Sequence, residues 1–154
     1  MLLQKGQWLG RGSLLVEGSS RGEKVECDVV VKSDEGGFTI TGEAVFKELG
    51  KRELTIRVAD NDVGTYTLRV QIGDDVLGGT AKLDSPPNLG LVWNDTGSVH
   101  ATFALFTISN GYGFRGFSKL ETTTYTWEVA FALKQDVIGG DNVVSLARRR
   151  RRGP

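Results

Sequence analysis

The stretch Tyr125-Thr126-Trp127-Glu128-Val129-Ala130-Phe131-Ala132-Leu133 decides the fold. Large apolar side chains stand at every second position, and in an extended chain alternate positions point to opposite faces. Such a segment buries one face and wets the other. The same rhythm recurs along the chain from Trp8 onward. Trp8, Gly10, Gly12, Leu14 and Val16 share one phase, as do Val25, Cys27, Val29 and Val31, and then Phe38, Ile40, Ala44 and Phe46. Leu54, Ile56 and Val58 follow, then Tyr66, Leu68, Val70 and Ile72, then Leu77, Gly79, Ala81 and Leu83. Beyond Pro86 and Pro87, which cannot pair in a ladder, Leu89, Leu91 and Trp93 form the next apolar phase. The segment from Val99 to Ser109 is apolar on both phases, Phe103 and Leu105 against Phe106 and Ile108, which predicts a strand covered on both sides. Tyr112, Phe114 and Leu120 precede the final strand.

Glycine and acidic residues punctuate these segments, at Gly18 to Gly22, Asp34 to Gly37, Asp60 to Asp62, Gly73 to Asp75 and Asn110-Gly111. No helical period interrupts them. About ten short strands in unbroken succession predict an all-β chain, a single up-and-down antiparallel β-barrel. The predicted organisation is a barrel domain over residues 1–137 and a flexible Gly/Arg-rich tail over 138–154.

A chain of 154 residues with 39% hydrophobic and 25% charged residues suits one soluble domain with its own apolar core. The single cysteine rules out an internal disulfide, Met1 to Lys5 carry no apolar signal core, and no apolar run is long enough for a transmembrane segment. The expected location is cytoplasmic. The zero net charge is uneven, because Arg148 to Arg152 hold five of the 19 basic residues and leave 14 against 19 acidic ones elsewhere. An all-arginine tail reads either as an anchor for nucleic acid or anionic lipid, or more plainly as a solvated terminus. The mildly acidic body repels phosphate backbones, so no sequence-specific nucleic-acid partner is expected.

Candidates for chemistry are few. His100 is the only histidine, and its strand's apolar phase runs through Val99, Ala101 and Phe103, so it is expected to face outward. One His and one Cys on different strands lack metal-ligand spacing, and neither a metal nor a cofactor is expected. Asp60-Asn61-Asp62 opens like a calcium loop but lacks the later ligands, and reads as a tight acidic turn. Cys27, between Val25 and Val29, reads as a packing thiol. Asn94-Asp95-Thr96 has the form of a glycosylation sequon only.

The informative surface is the interior phase. Trp8, Phe38, Tyr66, Trp93, Phe103, Phe114, Tyr125 and Trp127 are the candidate ligand-binding residues, an aromatic and uncharged set. Gly10, Gly12, Gly42, Gly79 and Gly116 thin the same phase, by strand bending or by vacant space. Thr107, Ser109 and Ser118 add hydroxyls. A ligand for such an interior is a small, largely neutral hydrophobic molecule.

The opening Gly6-Gln7-Trp8-Leu9-Gly10-Arg11-Gly12 resembles the first strand of calycin-type barrels, the lipocalins, fatty-acid-binding proteins and nitrobindin-like proteins. The resemblance implies a calycin-like fold with a cavity, and a Trp8 packed under a basic residue of the last strand, for which Lys134 is the candidate. The chain departs from these families in lacking a helical lid after its first strand. It also lacks a histidine downstream of His100 to hold haem.

Three functions are compatible with this reading. The first is a non-enzymatic carrier or sensor. The second is a cofactor-free cyclase or isomerase that folds a flexible hydrophobic biosynthetic intermediate by shape and desolvation. The third is a packed structural module that associates, as a homodimer through the strand 99–109.

Overall fold

The computed structural model describes residues 3–83 and 88–135. The tail expected over 138–154 lies outside the described residues. Ten strands follow one another: β1 Gly6–Val16, β2 Glu23–Asp34, β3 Gly37–Phe46, β4 Gly50–Asp60, β5 Tyr66–Ile72, β6 Asp75–Lys82, β7 Asn88–Trp93, β8 Val99–Ile108, β9 Gly111–Leu120 and β10 Thr123–Leu133. Each pairs antiparallel with its neighbours in sequence, and β1 pairs with β10 to close the barrel. This closed ten-stranded antiparallel barrel is consistent with a calycin-like fold.

Turn chemistry explains the tight connections. Ile72 pairs directly with Asp75, so Gly73 and Asp74 alone reverse the chain, and Gly73 takes φ +58°, a conformation that costs glycine little. Asp60 and Asn61 cap the next connection, with the Asp60 carboxylate accepting from the Asp62 amide at 2.9 Å. That is the acidic turn the sequence predicts, and among the described residues no group of three or more His, Cys, Asp or Glu is placed to hold a metal.

Barrel size follows from register. Tracing the paired residues once around the cylinder returns to β1 displaced by about twelve residues, which for ten strands gives a tilt near 40° and a Cα radius of about 10 Å. Eight strands make a barrel that side chains just fill, and ten enclose a wider interior.

Inner glycines form the bends that this curvature needs. A Cβ on Gly12 would lie 1.9 Å from the Glu128 carbonyl oxygen, and one on Gly79 would lie 1.9 Å from that of Leu91. The neighbouring backbone occupies the space a side chain would take. At Gly10 the Phe131 ring does so instead, and at Gly116 the Thr102 carbonyl oxygen and the Trp127 ring do so together. The thinned interior phase therefore reflects strand bending and ring packing, and these glycines leave no vacancy.

Strand β7 reverses the sequence expectation. Asn88, Gly90 and Val92 face inward and are buried, whereas Leu89, Leu91 and Trp93 face out at 51%, 41% and 46% exposure. The placement of Trp93 on the interior phase is thus corrected. Two local features fix the phase: the Phe103 ring of β8 lies against Gly90, where any side chain would collide, and the Asn88 amide donates to the Leu105 carbonyl at 3.1 Å. Sliding the strand by one residue would bury the leucines and lose both contacts.

Candidate functional site

The lumen has two unlike halves. At the end where β1 begins, Trp8, Val31, Phe38, Val58, Tyr66, Leu83 and Leu133 are all at most 8% exposed. The Trp8 indole packs on Tyr112 with ring centroids 5.4 Å apart and donates from Nε1 to the Gln4 carbonyl at 2.9 Å. Leu3 packs against the same cluster, so the segment before β1 lies across this mouth. These contacts form a plug. Trp8's ring partner is Tyr112, from β9.

Midway along the barrel the inward side chains are mixed: Cys27, Ile40, Ile56, Val70, Phe103, Phe114, Trp127 and Phe131 are half-buried, whereas Val29, Ala44, Leu68, Val92 and Val129 are buried. Inward positions in the middle of a strand are shielded from outside by the sheet itself. Toward the other end, Phe46, Leu54, Ile72, Val99 and Tyr125 are half-buried too, and Leu120 at the rim is 40% exposed. This mouth is framed by the connections after β1, β3, β5, β7 and β9.

One side of the wall is aromatic. Phe114 of β9 lies 5.4 Å from Phe103, 5.6 Å from Trp127 and 6.5 Å from Phe131, in tilted and edge-on arrangements favoured by ring quadrupoles. Register brings these rings together, since Phe103 pairs with Gly116, Gly116 with Trp127, and Phe114 with Val129. Across the lumen stand the alkyl groups of Ile40, Ile56 and Val70.

Polar groups on this wall are sparse. The Trp127 Nε1–H is buried and has no hydrogen-bond partner, a deficit of about 1–3 kcal/mol for a buried donor. The Cys27 thiol faces inward, and burial pushes its pKa up from the usual 9.0 to about 11. It is a neutral thiol at physiological pH, in keeping with a packing role. Tyr125, in register with Ser118, places hydroxyls nearer the accessible mouth. His100 stands on the outer wall between Trp93 and Lys119, and Arg115 is outside in an ion pair with Glu128 at 2.7 Å.

Of the eight residues singled out from sequence, Trp8, Phe38 and Tyr66 belong to the plug. Phe103, Phe114 and Trp127 form the aromatic wall, Tyr125 lies toward the accessible mouth, and Trp93 lies outside. Phe131 was missed as a wall residue, although it shares Trp127's phase in the stretch that decides the fold. Ile40, Ile56 and Val70 were missed because an alkyl residue on an inward phase looks the same whether it fills a core or lines a hollow.

Two shallow depressions mark the outside. One, of about 260 Å³, lies among Arg11, Glu26, Asp28 and Glu43 on β1–β3. The other, of about 230 Å³, lies at the rim by Asp74, Asp75 and Asp95. Charged surface residues line both, together with the inward-phase Gly10 and Cys27 in the first and Leu77 and Val99 in the second. No family model matches the chain, and no curated protein matches it in sequence.

Proposed function

We propose that this barrel is a carrier or sensor that holds one small, largely neutral hydrophobic molecule in its lumen, as calycins do. The observation that carries the reading is the contrast along the barrel axis. One end is plugged to near-complete burial, while further along the barrel several inward alkyl groups and rings, among them Ile40, Ile56, Val70, Phe103, Phe114 and Trp127, are only half-buried. Apolar walls with a few oriented polar groups are what apolar ligands bind. A carboxylate ligand is disfavoured, since Arg115 points outward and no cationic side chain is found on the mid-lumen wall among the described residues. Alkyl, ring and hydroxyl groups suit retention more than turnover, which places the carrier ahead of a cyclase or isomerase.

Titration with Nile red, a neutral solvatochromic dye, tests this. Blue-shifted emission, quenching of tryptophan fluorescence and one-to-one stoichiometry are expected. Val70→Phe, which intrudes on the lumen, should weaken binding at least tenfold. The double variant Leu91→Glu/Phe117→Glu, altered only on the outer wall, should bind as the parent does. Absence of binding, or binding abolished by the outer-wall variant alone, overturns the reading.

A further inference from the structure

The outer wall of the barrel is two-sided in character. Most ion pairs of the described residues lie on β1–β4, where Arg11 and Lys24 approach Glu26, Lys51 approaches Glu43 and Glu53, and Arg57 approaches Asp34, and one, Arg115 with Glu128, joins β9 to β10. The wall of β6–β10 is different. Register lays out a central row of Thr80, Leu91, Thr102, Phe117 and Thr126, one residue per strand and none charged. The row on one side is Gly78, Trp93, His100, Lys119 and Thr124, and on the other Lys82, Leu89, Ala104, Arg115 and Glu128. Leu89, Leu91, Trp93 and Phe117 are 41–51% exposed. The expected contact residues Phe106 and Ile108 are half-buried, and the Phe106 ring covers Gly113 with the Arg115 guanidinium 5.9 Å above it. The open apolar surface thus lies on the strands flanking β8.

We infer that this face is a two-fold interface between two copies of the chain, centred on Thr102. Strand β7 keeps its more apolar phase outside because of Phe103 over Gly90 and the Asn88 amide, and the resulting row of exposed apolar side chains is of the kind that marks an association surface. The chemistry of the rows supplies the self-complementarity. The small outward residues Thr102 and Ala104 of β8 make a furrow between a ridge of Leu89, Leu91 and Trp93 on β7 and a ridge at Phe117 on β9. When a second copy is turned about an axis along β8, Leu91 meets Phe117 of that copy in both directions. Trp93 then meets Lys119, a cation–π pairing, and Thr102 meets Thr102 on the axis. The size also fits. Half-exposed side chains of this size offer about 400 Å² of apolar area together, half of the ~800 Å² that each partner buries in a standard interface. An uncharged centre with charge held at the rim is the composition of an interface core.

Sedimentation velocity across the micromolar range tests the inference on the full chain. The parent is expected at twice the chain mass, and Leu91→Glu/Phe117→Glu at the single mass with unchanged far-UV circular dichroism. Thr102→Cys, on the axis, should form a disulfide-linked dimer under mild oxidation, whereas Thr67→Cys on β5 should not. A chain monomeric throughout the range overturns the inference, including a monomer that instead floats with anionic phospholipid vesicles. So does a dimer that survives the double substitution or leaves Thr102→Cys unlinked. Dye binding in the lumen is read separately, so either reading can fail alone.

Discussion

Gly78 and Gly79 are adjacent in β6 and should respond oppositely to the same methyl group. At Gly78, which faces outward, the nearest atom to an added Cβ is the Leu68 carbonyl oxygen at 3.8 Å, an ordinary contact. Gly78→Ala therefore costs nothing sterically. It reduces the freedom of the unfolded chain and should stabilise the protein by about 0.5 kcal/mol. At Gly79 the same carbon would sit 1.9 Å from the Leu91 carbonyl oxygen and 2.7 Å from the Val92 Cα. Both are backbone atoms of β7, so relief requires moving the strand by more than an ångström. β7 is also held by Phe103 over Gly90 and by the Asn88 amide, so it cannot move alone. Overpacking that shifts backbone costs about 1–3 kcal/mol and more when the wall is braced. Gly79→Ala should accordingly lose about 3 kcal/mol, a large share of the roughly 5–15 kcal/mol that holds a domain together. At about 2–4 °C per kcal/mol for a chain of this size, its melting temperature should fall by roughly 10 °C. Urea unfolding followed by far-UV circular dichroism and by tryptophan emission gives both values, with equal m-values required for the comparison. If the two variants lie within about 0.5 kcal/mol of one another, backbone crowding is not the reason for glycine at position 79.

The other predictions concern the plug and the lumen. Trp8→Ala removes an indole that is 4% exposed and packed on Tyr112, and should cost about 3–5 kcal/mol in urea unfolding; Trp8→Phe should recover a good part of that loss. The Cys27 thiol has its pKa raised by burial from 9.0 to about 11, so the folded state holds a proton that the unfolded state releases. Stability from this group is fully present below pH 9.0 and is lost as pH rises toward about 11. Cys27→Ser should flatten the difference in stability between pH 8 and pH 10.5. At pH 8 the native thiol should react with a disulfide reagent far more slowly than in denaturant.

Strand existence, strand order and closure were legible because each rests on a local signal repeated ten times. Alternation marks the segments, and glycine with acidic residues marks the reversals between them. The outward placement of His100 was legible too, since Ala101 and Phe103 outweigh it on the inward phase. The phase of β7 was not legible. Hydrophobicity favours Leu89, Leu91 and Trp93 inside, and the decisive constraint is the collision any side chain at position 90 would make with the Phe103 ring, a matter of geometry rather than composition. The interior glycines were ambiguous for the same reason. Whether Gly12 marks a gap or a bend depends on where the Glu128 carbonyl of β10 lies, more than a hundred residues further along the chain.

The seam between β1 and β10 has a consequence for synthesis. Nine residue pairs from Trp8–Leu133 to Val16–Tyr125 join the first strand to the last. A nascent chain emerging from the ribosome carries β1 as an open edge until β10 is released, with its inward apolar phase unprotected for nearly the whole of translation. Premature termination anywhere before β10 would leave two unpaired edges, the template for cross-chain strand addition. Permuting the order of elements cannot remove that interval: with new termini at a surface turn such as Gly18 to Gly22, β2 would come first and β1 last, and the closing seam would move to their pairing.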